Sequence, residues 1–226
     1  MGIDWEGAIN VRDLGGLRTR DGRVTRTGAV VRSGMLDRLT PRGWDGLVGF
    51  GVRTVVDLRE EAERSVVPPH PVTFVNVPLD DNADTALWDH IRANDLDGTP
   101  LYYPVFLERK AERCAAAIRA VAQAEPGGVL VHCAGGRDRT GLVSMLLLLL
   151  ADVLPEEIIA DYELSNRNAA RTNPRYCTLR VLERHGTTER DALMAVLAGL
   201  DAVDYLRSAG STAGEIEAVR ARLLGG

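Results

Sequence analysis

VLVHCAGGRDRTGLVSMLLLLL, residues Val129–Leu150, decides the reading of this chain. A β-branched run, Val129–His132, leads into a polar turn holding one cysteine, two glycines, two arginines and an aspartate. A nearly unbroken apolar run, Leu142–Ala151, follows. A short apolar run closed by a polar turn reads as a buried strand. The second run is too short to cross a bilayer and reads as a buried core helix. Strand, tight loop and helix in immediate succession make one unit of an α/β sheet. In such sheets ligands bind at the C-terminal ends of the strands, where this loop falls.

The flanking sequence repeats the pattern. TGAVVRSG (Thr27–Gly34), VRTVVDLR (Val52–Arg59) and VTFVNVPL (Val72–Leu79) read as further strands. Leu39–Gly51 reads as a helix with Thr40 as N-cap, Pro41 at its first position and Gly51 as its stop. Glu60–Val67 forms at most a helical turn before Pro68 and Pro69 end it. Phe106–Gly128 is an alanine-rich helix, Leu154–Arg171 another, and the C-terminal third is helical with breaks at Gly186 and Gly210. Strands alternating with helices predict an α/β fold: a central, mostly parallel sheet flanked by helices. No repeat and no linker is visible, so residues 1–226 are expected to form a single domain. Residues 80–104, acidic and punctuated by Gly and Pro, are the place for a lid or acid loop.

Composition narrows the function. The 226 residues are 45% hydrophobic and 26% charged, with a net charge of −5. That balance predicts no nucleic-acid partner and no integral membrane association. An acidic protein that handles an anion must gather positive charge locally, and the Val129–Leu150 loop does so. Lys110 is the single lysine, a bias toward arginine of the kind a GC-rich genome produces. The three cysteines, Cys114, Cys133 and Cys177, fit neither a disulfide framework nor a zinc spacing, and suggest a reducing compartment. The first residues show no signal-peptide pattern, so the expected location is cytoplasmic.

The loop has a chemistry of its own. A helix N-terminus offers unpaired N–H groups and partial positive charge. Residues Ala134, Gly135, Gly136 and Arg137 allow the backbone to curl around a phosphate-sized anion. The same field favours the thiolate form of a cysteine at the loop's start, here Cys133. Arg139 brings a planar fork suited to two phosphoryl oxygens. Thr140 can donate a hydrogen bond to the sulfur. A thiolate needs no base, so His132 is expected to orient the loop. These features predict a phosphatase that works through a phosphocysteine, with no metal and no cofactor.

The stretch resembles the His-Cys-x5-Arg-Ser/Thr signature of the cysteine-based tyrosine phosphatases. Its GRDRTG ending is similar to the bacterial tyrosine/lipid phosphatases, the mycobacterial phosphatase B type. INVRDLGGL (Ile9–Leu17), VVRSGMLDRLT, GVRTVVDLREEAE and IADYELSN match family blocks in the same order. Arg137 stands where the family usually has lysine, and residues 80–104 are shorter than the lid region of the mycobacterial member. The resemblance implies a phosphorylated protein or phosphoinositide substrate. It also implies an aspartate general acid. Asp80 and Asp81 follow a strand and are candidates, and Asp138, inside the loop, is their rival. A salt bridge from Asp138 to Arg59 or Arg12 is the alternative for that residue.

Asp57 and Arg59, at a strand end, are expected to support the site. Arg12 and Asp13 are expected to pin the N-terminal loop. Trp88, Tyr102, Tyr103 and Phe106 are read as core or lid packing. Two other functional classes remain at this point. One is a catalytically inactive module that binds phospho-ligands, against which the intact Cys133 and Arg139 argue. The other is a rhodanese-type sulfur transferase, against which the Arg139 spacing and Thr140 argue.

Overall fold

The computed structural model describes residues 3–64, 72–172 and 179–225. Pro68, Pro69 and Cys177, singled out above, lie outside the described residues. Five strands form one sheet: β1 (Arg12–Asp13), β2 (Val30–Ser33), β3 (Val52–Asp57), β4 (Thr73–Asn76) and β5 (Gly128–His132). Their order is β1-β2-β5-β3-β4. Only the β1–β2 pair is antiparallel; β2–β5, β3–β5 and β3–β4 are parallel. The three longest expected strands are present, with ends shorter than the apolar runs. The edge pair Arg12–Asp13 had no period-2 signal and was not foreseen.

The helices are α1 (Pro41–Gly49), α2 (Thr85–Ala93), α3 (Tyr103–Arg109), α4 (Ala111–Ala122), α5 (Asp138–Leu150), α6 (Pro155–Thr172), α7 (Leu179–Arg184), α8 (Glu189–Gly199), α9 (Ala202–Ser208) and α10 (Ala213–Leu224). Thr40 caps α1 as expected, its hydroxyl accepting from Gly43 N–H at 3.2 Å. The single helix expected from Phe106 is two, broken at Lys110 (φ −121°, ψ 28°). Helix α2 was not foreseen: Asp84 caps it, and Leu87 and Ile91 on one face are fully buried. That face is packed into the core, which fastens α2 to the body of the fold.

Successive residues of the central strands serve opposite layers. Val56, Val129 and Val131 face the larger core with α4, α5, α9 and α10. Val55 and Leu130 face the smaller one with Trp5, Leu36 and Leu47. Strand β5 is buried along its whole length, which is why its sequence does not alternate. Helix α5 is buried nearly all round, as an apolar helix at the centre of a fold must be. Gly141 permits this, since a Cβ there would lie 2.6 Å from the Tyr162 ring. Among the described residues, no helix is long and apolar enough to cross a membrane.

Candidate active site

The loop between β5 and α5 is held from outside by its carbonyls. Met35 N–H donates to Ala134 O at 2.8 Å. Asn10 Nδ2 donates to Gly135 O at 3.1 Å and to Gly136 O at 2.8 Å. Arg32 Nη2 donates to Gly136 O at 2.9 Å. Tying carbonyls outward turns the neighbouring amides inward. Gly136 N–H donates to Cys133 Sγ at 3.2 Å. Gly136 has φ +69°, and a Cβ there would lie 2.4 Å from Gly34 N, so only glycine fits the curl. Cys133 is thus 3% exposed, its sulfur turned toward the Gly136 amide just before α5.

The outer ties rest on buried charge. Arg32 and Asp161 form an ion pair, and Arg12 Nε donates to the same carboxylate at 2.6 Å. Ser165 Oγ accepts from Arg12 Nη2 at 2.7 Å. The two arginines and their hydrogen bonds hold Asp161 below the usual carboxylate range against its own burial. Asp13 accepts from the amides of Gly15 at 2.9 Å and Gly28 at 2.8 Å. Arg12 and Asp13 thus pin the N-terminal segment, as read from the sequence.

Arg139 is the second residue of α5. Its Nη1 and Nη2 meet Glu63 Oε2 and Oε1 at 2.6 and 3.0 Å, and Nη1 is 3.1 Å from Asp80 Oδ2. Burial works against its charge. The Glu63 hydrogen bonds and the charges of Cys133 and Asp80 outweigh burial and hold the guanidinium above its ordinary value. The end-on grip of Glu63 leaves Arg139 Nε and further N–H hydrogens for phosphoryl oxygens.

The three candidate aspartates separate clearly. Burial pushes Asp80 up to about 6; Arg139 opposes this, and Glu63, Glu60 and Asp138 add to it. Asp81 faces the other way. It is bound by Lys110 Nζ at 2.8 Å and Arg113 Nη2 at 3.2 Å, and the Lys110 hydrogen bond holds it below its ordinary range. Asp138 pairs with Arg137 Nη1 at 2.8 Å and lies 3.5 Å from Tyr162 Oη, so the expected partners Arg59 and Arg12 are not the ones it takes.

Two loop residues depart from expectation. Arg137 is 1% exposed and points into the body. It donates to Asn166 Oδ1 (2.6 Å), Gly98 O (2.5 Å) and Glu189 Oε1 (2.8 Å), and its guanidinium lies 5.4 Å from the Tyr162 ring centroid. These contacts make it a brace between the loop, residues 80–104 and α8, and withdraw it from substrate binding. Thr140 Oγ1 is buried with no hydrogen-bond partner among the described residues, so the expected bond to Cys133 is not formed.

The supporting residues form a chain to Glu63. Arg59 is forked onto Asp57 (Nη2–Oδ2 2.9 Å), pairs with Asp37 at 2.7 Å and donates to Glu63 O at 3.3 Å. His132 Nε2 is 3.6 Å from Asp57 Oδ2. Burial lowers the imidazole below its ordinary value, favouring the neutral ring, and Nδ1 lies 3.2 Å from Cys133 O. With its proton on Nδ1 the ring donates to that carbonyl at the start of the loop. Trp88, Tyr102, Tyr103 and Phe106 pack edge-to-face or tilted in the core, with centroids 5.1 to 6.2 Å apart.

A model of the tyrosine phosphatase family matches residues 3–225. The chain belongs to that family. It is 32% identical over 178 residues to a Cupriavidus necator protein provisionally named a tyrosine-protein phosphatase, covering 73% of this chain and 63% of that protein. It is 29% identical over 140 residues to a Nostoc commune tyrosine-protein phosphatase, covering 58% of this chain and 46% of that one. The chain thus spans less than two thirds of the length of either relative. A solved structure of a Cys-to-Ser variant of P. aeruginosa TpbA in complex with pTyr is similar at TM-score 0.48 and 14% identity, covering 84% of this chain and 91% of that one.

In this member of the tyrosine phosphatase family, the sequence reading missed Glu63, Arg32 and Asp161. Glu63 is one of three glutamates in EEAE, with nothing local to set it apart. It ends a 3-10 turn, Glu61–Glu63, where its Oε2 accepts from Glu60 N–H at 2.9 Å. Arg32 and Asp161 lay inside matching blocks, VVRSGMLDRLT and IADYELSN, whose likeness carried no assignment of role.

Proposed function

We propose that this protein is a phosphatase acting on phosphotyrosine monoesters through a phosphocysteine. The observation that carries the reading is the convergence of Cys133, Arg139 and Asp80 on one loop mouth. In the first step a sulfur lone pair of Cys133 attacks phosphorus and the ester P–O bond breaks. The Asp80 carboxyl gives its proton to the departing phenolate oxygen. In the second step a water oxygen attacks phosphorus, its proton passes to Asp80, and the S–P bond breaks to return the thiolate and inorganic phosphate. Arg139 and the amides of Ala134 and Gly135 hold the phosphoryl oxygens, where charge is spread in the transition state, while the Gly136 amide stays on the sulfur. Asp80 suits the acid role because burial keeps it protonated into the range where the thiolate acts.

Within the family, the GRDRTG ending supports placement with the bacterial tyrosine/lipid phosphatases of the mycobacterial phosphatase B type. Phosphoinositides are the second substrate class that this placement brings. The inward turn of Arg137 favours a substrate with one phosphoryl group over a polyphosphorylated headgroup, because the loop then offers one arginine. The test is metal-free hydrolysis of p-nitrophenyl phosphate by wild type and Cys133→Ser. Turnover blocked by vanadate and lost in the variant supports the reading. Phosphate binding without turnover by folded wild type makes the protein a binding module. Phosphotyrosine peptides, phosphoserine peptides and phosphoinositide vesicles then rank the substrates.

A further inference from the structure

We propose that Lys110 and Arg113, at the start of α4, are positioning residues that clamp the turn carrying Asp80; this rests on the reading of Asp80 as general acid. The residues on both sides of Asp80 are held by this one helix end. Arg113 Nη1 donates to Pro78 O at 2.7 Å, and its Nη2 lies 3.2 Å from Asp81 Oδ1. Lys110 Nζ bridges Asp81 Oδ2 at 2.8 Å and Asp84 Oδ2 at 2.7 Å. Asp84 in turn caps α2 by accepting from Leu87 N–H at 3.1 Å. Two further bonds fasten Asp81: its N–H donates to Glu60 Oε1 at 2.9 Å, and its carbonyl accepts from Trp88 Nε1 at 3.2 Å.

The backbone explains why a clamp is needed. Asp81 has φ +56°, in the left-handed region that Asp enters more readily than most residues but that still needs local bonds to hold it. That reversal sends Asp81 toward Lys110 and leaves Asp80 against Arg139. Lys110 is 6% exposed although it is the chain's one lysine. A compact ammonium with three donors fits between two carboxylates where a planar guanidinium does not. The chain breaks between α3 and α4 at this residue, which points its side chain at the turn. The acid is thus built on a fixed turn, and its geometry is set before substrate arrives.

Leaving-group dependence separates positioning from general stability. An ester with a good leaving group needs little proton donation, and one with a poor leaving group needs much. Lys110→Met and Arg113→Met are compared with wild type and Asp80→Asn on p-nitrophenyl phosphate and on phenyl phosphate. Lys110→Met is expected to lower kcat on phenyl phosphate by roughly tenfold, a fraction of what a general acid supplies, and on p-nitrophenyl phosphate by less than about twofold. Arg113→Met should follow the same pattern more weakly. Arg113 is half-exposed, so that variant decides the matter if Lys110→Met does not fold. Equal losses on both esters, or none, while Asp80→Asn shows the selective loss, overturn the clamp and leave Asp80 as the acid. No selective loss in Asp80→Asn overturns the acid assignment and the clamp with it.

Discussion

Arg139 Nη1 lies 3.1 Å from Asp80 Oδ2, yet Asp80 remains pushed up to about 6 because burial outweighs the arginine's pull. Glu63 grips the same arginine at two points and neutralises much of its field at Asp80. In the proposed mechanism this carboxyl, protonated below about pH 6 beside Arg139, is the acid. Its protonated fraction falls as pH rises through about 6. With phenyl phosphate, kcat/KM should therefore decline above about pH 6, and Asp80→Asn should remove that decline along with most of the rate. A basic limb that persists unchanged in the variant would point to another group.

The same shift makes Asp80 a cost to the fold. Its folded value is raised above the unfolded one, so its contribution favours the native state at low pH and is lost as pH rises through about 6. Asp80→Asn should then be more stable than wild type at pH 8, by on the order of 1–3 kcal/mol, and gain little below about pH 4, under the unfolded carboxylate value. Urea unfolding at the two pH values measures both. Equal stability at pH 8 would mean that the Arg139 contact already offsets the burial.

Glu63 fixes the direction of the Arg139 fork from its end, leaving the side of the guanidinium for the substrate. Glu63→Gln keeps the shape but removes one charge and one acceptor. In the proposed mechanism substrate and transition state both use that fork, so kcat/KM should fall by roughly tenfold, a loss of one charge-assisted hydrogen bond. Inorganic phosphate should also inhibit more weakly. Tighter phosphate inhibition would mean instead that Glu63 competes for the fork.

How far the site could be read from sequence depends on how local each interaction is. Cys133, Gly136 and Arg139 act through the backbone curl between one strand and one helix, so a single stretch of sequence carries them. Arg137 sits in the same stretch, but its direction is set by Asn166 and Glu189, 29 and 52 residues away. A positive side chain in an anion-binding loop reads as a substrate contact until those partners are placed. Choosing between Asp80 and Asp81 needed their distant partners, Arg139 for the one and Lys110 for the other, which the acidic run does not name. Helix α2 was hidden because its polar residues outnumber the two buried on its inner face, Leu87 and Ile91.

Asp161, 6% exposed, is the shared counter-charge of two arginines in the supporting frame. Arg12 and Arg32 both depend on it, and Arg32 passes that hold to Gly136 O. Asp161→Asn leaves two largely buried guanidinium groups short of their counter-charge. Removing one partner of a buried ion pair costs about 3–5 kcal/mol, so the variant should show a markedly lower urea midpoint. The pH dependence has a definite sign. Asp161 is lowered in the folded state, so its contribution is present above the unfolded carboxylate value and is lost as pH falls through the folded one. Wild type and variant should therefore converge in stability under acid conditions and diverge at neutral pH. Even where the variant remains folded, the loop should loosen at Gly136, and vanadate should bind more weakly than to wild type. Unchanged vanadate affinity together with lowered stability would separate the frame from the loop, leaving Asn10 as the hold on Gly136 O that matters.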